Sequence, residues 1–78
     1  MSQENTILPI TELPEAQQET FRRMQGAILA KDHLTARPLM GEILEYYVSL
    51  EREIPEEVEV AYAHLLVLEH AAESQKTP

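Results

Sequence analysis

The chain has 78 residues, a net charge of −8 and no cysteine. The length allows a single small domain, the lack of cysteine excludes disulfides and zinc sites of the cysteine type, and the negative charge disfavours direct binding to nucleic acid or to an anionic membrane. The longest apolar stretch, Val60 to Leu68, has nine residues and is interrupted by His64, whereas a membrane span needs about 20. Because the first residues lack the basic start and apolar core of a signal peptide, we expect a cytoplasmic protein.

The first eleven residues predict a flexible or extended tail, since Pro9 disfavours helix at the residue before it. Ile7, Leu8 and Ile10 are apolar, and the sequence leaves open whether they dock on the rest of the chain. Residues 75–78 are expected to fray. The folded domain is therefore predicted to span residues 12–74.

A first helix is predicted from about residue 12 to residue 31, where apolar residues recur at helical spacing. Thr11 is a plausible N-cap, and Pro14 is tolerated because first-turn residues have no intrahelical bond to donate. A second helix is predicted over residues 36–52, with Thr35 as its N-cap and Pro38 in its first turn. Thr35 and Pro38 have the same spacing as Thr11 and Pro14. Asp32 is the alternative cap, but it would place Pro38 deeper in the helix.

A third helix is predicted over residues 55–73. Pro55 stands at its start, followed by Glu56 and Glu57, which the helix dipole favours there. Short links favour antiparallel neighbours, so the predicted fold is all-α, an antiparallel three-helix bundle. The predicted core consists of Phe21, Met24, Ile28, Leu39, Ile43, Tyr47, Val58, Tyr62, Leu65 and Leu68.

The second and third helices carry more apolar residues than one buried stripe requires. An exposed patch of this kind is typical of an interface, and a twofold dimer is the commonest way to cover it. We therefore expect a homodimer. The candidate interface residues are Met40, Leu44, Tyr46, Val60, Leu66 and Val67.

Catalytic and metal-binding patterns are absent from the sequence. Its two glycines form no phosphate-binding loop, and His64 and His70 are six residues apart, a spacing that places them on different helix faces. His64 shares a face with Val60 and Val67. We expect no enzymatic activity, no cofactor and no metal.

Carboxylates are dense around the link between the second and third helices, where seven acids accompany one arginine. This pattern indicates an acidic surface for docking a protein partner, and a basic partner is the chemistry that would complement it. The candidate docking residues are Glu42, Glu45, Glu51, Glu53, Glu56, Glu57 and Glu59. The favoured function is a small acidic interaction or regulatory protein that self-associates through the second or third helix. The alternative is an acidic inhibitor, of the kind phage or plasmids encode, that occupies a nucleic-acid-binding site on its target.

Overall fold

The computed structural model describes residues 7–76, with side chains through residue 74. The described residues form a short 3₁₀ turn at Ile10–Glu12 and three helices, α1 (Glu15–Leu29), α2 (His33–Leu50) and α3 (Glu56–Lys76). The helices pack together into a three-helix bundle, which confirms the predicted fold class. Within this part of the chain, no helix is long and apolar enough to cross a membrane.

The N-terminal segment, residues 7–13, is part of the bundle. Ile7 forms a parallel bridge with Glu53 in the link between α2 and α3, and the backbone N–H of Leu8 donates to the carbonyl of Glu53 at 3.2 Å. Leu8, Ile10 and Leu13 are buried in the core. The extended backbone expected in residues 1–11 is present at Ile7 and Pro9, and Ile10–Glu12 form the 3₁₀ turn. Whether this segment docks was left open by the sequence, and the structure shows that residues 7–13 do; residues 1–6 lie outside the described part of the chain.

The first helix begins three residues later than predicted, at Glu15. Pro14 occupies the N-cap position with extended backbone, and Leu13 before it is also extended, as expected for a residue that precedes proline. Thr11 belongs to the 3₁₀ turn and does not cap α1. Gln18 instead ties this turn to α1, because its side-chain amide donates to the carbonyl of Leu13 at 2.8 Å.

The cap of α2 is Asp32, so the assignment of Thr35 to this position was wrong. The Asp32 carboxylate accepts from the backbone N–H of Thr35 at 3.3 Å and from its hydroxyl at 2.6 Å. These two bonds hold the pKa of Asp32 below its ordinary value. The first of these bonds satisfies a free backbone N–H in the first turn, and α2 begins at His33. Pro38 therefore lies inside the helix, at an exposed position.

Each of the first two helices ends on a residue in the left-handed conformation, Lys31 with φ 61° and Glu51 with φ 57°. The residue that follows each of them donates its backbone N–H to the carbonyl five residues earlier, Asp32 to Ala27 and Arg52 to Tyr47. This is the Schellman arrangement, which normally uses glycine. It turns the chain sharply enough for α1 and α2 to pack along each other as a hairpin.

The core lies between the N-terminal segment and one face of each helix. Six of the ten predicted core residues are buried, namely Phe21, Met24, Ile43, Tyr47, Val58 and Leu65, while Ile28, Leu39, Tyr62 and Leu68 are half-buried. The buried face of α2 is Ala36, Met40, Ile43 and Tyr47. Ile43 and Tyr47 of the predicted core lie on this face, whereas Leu39 is one residue, or about 100°, from Met40 and is only half-buried.

Candidate functional site

The six predicted interface residues do not form one surface. Met40 is fully buried and belongs to the core, so its assignment to an exposed patch was wrong. It lies four residues from Ala36 and three from Ile43, which puts all three on the same helix face. Leu44 and Tyr46 are half-buried and pack against the core. The surplus apolar surface expected on α2 is thus largely used inside the chain.

The exposed part of the predicted interface is on α3. Val60, Leu66 and Val67 expose 47%, 43% and 65% of their surface. Val60 and Val67 are seven residues apart, close to two full helical turns, and therefore share a face. Leu66 is one residue from Val67 and points about 100° away, so it belongs to a different face.

An open groove of about 590 Å³ lies between the end of α1 and the first half of α3. Leu29 on its α1 side is 83% exposed, although leucine is usually found inside. This part of α1 could not be predicted from the sequence, because one exposed leucine at a helix end has no distinctive pattern. The groove is lined by Gln25, Ile28, Leu29, Glu56, Glu57, Val60, Ala61 and His64.

The core contacts of α3 are concentrated in its first half. Its buried residues are Val58, Ala61 and Leu65, and none of the described side chains after Leu65 is buried. The second half of α3, from Leu66 onward, therefore gains little stability from the core. Leu68 and Ala72 there are half-buried, whereas Val67 and Ala71 are exposed.

A polar contact holds α3 to the first turns of α2. The Arg37 guanidinium donates two hydrogen bonds of 2.9 Å to the carboxylate of Glu69 and lies 5.9 Å from the ring centroid of Tyr62. These contacts, led by the bonds to Glu69, raise the pKa of Arg37. Arg37 therefore joins α2 to α3.

The predicted acidic docking residues are exposed, but they occupy different places. Glu42 and Glu45 border a shallow depression beside Tyr46 and Ser49. The other five lie in the link between α2 and α3 or in the first turn of α3: Glu51, Glu53, Glu56, Glu57 and Glu59. Only Glu56 and Glu57 of this set border the groove.

Histidines and carboxylates do not cluster as metal ligands anywhere in the described part of the chain. His64 stands on the wall of the groove and His70 lies six residues further along α3. No family model matches the sequence, and neither the curated proteins nor the solved structures yield a match. The groove and the exposed face of α3 are therefore the candidate functional features of the described residues.

Proposed function

We propose that this chain is a small acidic protein–protein interaction protein that acts in the cytoplasm, without catalytic activity, and associates with itself through α3. The observation that carries the proposal is the exposed apolar surface that Leu29 and Val60 form at the groove and that Val67 continues along the same face of α3. In a chain of this size, apolar residues exposed close together on two adjacent helices are typical of an interaction surface.

Stability arguments support the same proposal. A chain of about this length buries only about 60% of the surface that its unfolded form exposes, and half of α3 contributes no buried side chain among those described. Association would cover Val67 and its neighbours, and a partner that binds only the folded form adds stability through mass action. An interaction function thus accounts both for the exposed valines and for a long helix with few internal contacts.

The acidic inhibitor hypothesis has less support from the positions of the carboxylates. A surface that imitates nucleic acid needs closely spaced negative charges along one face. Glu42 and Glu45 border one depression, whereas Glu56 and Glu57 border the other. Arg37 further neutralises Glu69 on the α2 side of α3.

The proposal is tested by measuring the mass of the protein in solution with light scattering at micromolar concentration and moderate salt. We expect about 18 kDa, twice the 8.9 kDa of one chain. Val67→Glu adds a charge to the proposed interface and should raise the dissociation constant at least tenfold. Its matched control is Val48→Glu on α2, where the valine is 73% exposed but lies away from the groove.

The control variant should retain the mass of the unchanged protein. Circular dichroism on both variants checks that the folded state is preserved, as expected for substitutions at exposed positions. A mass of 8.9 kDa for the unchanged protein over the whole concentration range would contradict self-association. Equal weakening by Val48→Glu would show that added charge alone, rather than its place on α3, disrupts the dimer.

A further inference from the structure

One face of α3 carries a nearly uncharged stripe along most of its length. Val60, His64, Val67 and Ala71 follow each other at spacings of four, three and four residues, so they lie on one side of the helix. All four are exposed. The stripe contains no carboxylate, and the acidic residue that continues it towards the N-terminus is Glu57. On a chain with a net charge of −8, this stripe is a part of α3 that a like-charged molecule can approach closely.

The order of residues along this stripe is nearly the same in both directions from His64. Val60 is four residues before it and Val67 three residues after it, while Glu57 and Ala71 are each seven residues away. Two such helices that run in opposite directions place Val60 of one copy against Val67 of the other. The two His64 side chains then meet near the centre, and each Glu57 faces a small alanine rather than another carboxylate.

The two halves of α3 also expose surfaces that can cover each other in a dimer. The first half forms a wall of the open groove with Ile28 and Leu29, and the second half exposes Val67 and Ala71 without a buried neighbour on that face. An antiparallel second helix laid in the groove places its Val67 beside Val60 and near Leu29. By symmetry, the first copy contributes the same contacts to the groove of the second, as a twofold interface requires.

We propose that the groove is occupied by α3 of a second copy of this chain, antiparallel to the first, with the twofold axis close to His64. This inference rests on the proposed self-association and specifies its site, direction and register. The groove walls of Ile28 and Leu29 cover the valines of the stripe on each side. A basic amphipathic helix from a different protein is the competing occupant, since Glu56 and Glu57 border one end of the groove.

The inference is tested by placing single cysteines in a chain that has none of its own. His64→Cys should give a covalent dimer with a short thiol–thiol cross-linker, because the axis brings this position next to its copy. Val60→Cys and Val67→Cys should cross-link to each other when the two variants are mixed, with one of them carrying a mass tag. Each should cross-link to itself much less. Val48→Cys is the matched control at an exposed valine outside the groove.

The cross-linking patterns separate the possible outcomes. Efficient linking of Val60→Cys to itself and of Val67→Cys to itself would indicate parallel helices and overturn the inference. Linking of Val48→Cys as fast as His64→Cys would also overturn it, since that result indicates random encounter or another interface. If either pattern accompanies a dimeric mass, the proposed function stands and only this arrangement fails. A monomeric mass without specific linking would contradict both the proposed self-association and this arrangement of α3. The groove would then be a site for a partner of different sequence.

Discussion

Tyr47 shows how much a single buried polar group contributes to the arrangement of this chain. Its side chain is 1% exposed, and its hydroxyl donates to the carbonyl of Leu8 at 2.6 Å. Burial, followed by the negative charge of Glu57, raises the pKa of Tyr47 above its ordinary value. Periodicity in the sequence predicts that Tyr47 is buried. It does not predict the bond partner, which is 39 residues earlier in the chain.

Replacing Tyr47 with phenylalanine should lower the free energy of unfolding by about 1–3 kcal/mol, because the buried carbonyl of Leu8 loses its donor. Urea unfolding measures this change, and Tyr46→Phe on the half-buried neighbour is the control.

Since the folded pKa of Tyr47 is raised, its contribution to stability is complete below the unfolded value of about 10 and falls as pH rises through the folded pKa. The unchanged protein should therefore lose stability above about pH 10 more steeply than Tyr47→Phe. Equal slopes would contradict this account.

The helices were predicted more accurately in number than in their ends and faces. Three periodic segments specify three helices, but the start of α2 depends on whether Asp32 or Thr35 caps it. The carboxylate of Asp32 gains two hydrogen bonds in the first turn, and this outweighs the cost of Pro38 inside the helix. The face of α2 was misassigned because apolar residues surround much of this helix. Only the positions of α1, α3 and the N-terminal segment determine that Met40, rather than Leu39, is fully buried.

The same reasoning explains why the site was predicted only in part. Val60, Val67 and His64 share a face by spacing alone, so the stripe on α3 is visible in the sequence. The groove beside it depends on how α1 lies against α3, and local patterns of residues carry no information about that packing. Leu29 is therefore recognisable as part of the surface only in the folded chain.

The two left-handed helix ends lead to a prediction about stability. Lys31 and Glu51 adopt positive φ, which costs a residue with a side chain roughly 1–2 kcal/mol. Glycine avoids this cost but loses about 0.4–1 kcal/mol through greater freedom in the unfolded state. Lys31→Gly and Glu51→Gly should each stabilise the protein by up to about 1 kcal/mol, measured by thermal or urea unfolding.

The control for these variants is Ala30→Gly. Ala30 has φ −83°, a conformation that needs no glycine, so this change at the neighbouring position should destabilise by about 0.5–1 kcal/mol. If Lys31→Gly and Ala30→Gly changed stability in the same direction and by similar amounts, the left-handed conformation at Lys31 would not be the cause.

At the scale of the whole molecule, the core depends on a segment that a helix pattern does not reveal. Leu8, Ile10 and Leu13 close one side of the bundle, and they are held there by Tyr47 and by the bridge from Ile7 to Glu53. A proline-containing stretch with few helical signals was predicted as a tail because its partners are distant in sequence. Its apolar residues were the sign of burial that the sequence offered. In a chain of this size, three more buried side chains are a substantial share of the core.

Adjacent leucines on α3 test how narrow the stability margin of the molecule is. Leu65 is fully buried, whereas Leu66 is 43% exposed. Leu65→Ala should cost about 2–5 kcal/mol, a large fraction of the roughly 5 kcal/mol expected for a small domain. Leu66→Ala removes the same atoms from an exposed position and should cost less than about 1 kcal/mol. Circular dichroism during urea unfolding measures both. If folding is coupled to self-association, the Leu65→Ala variant should regain helicity as its concentration rises, because mass action favours the associated folded form. Equal losses for the two variants would show that α3 is packed with a different face towards the core.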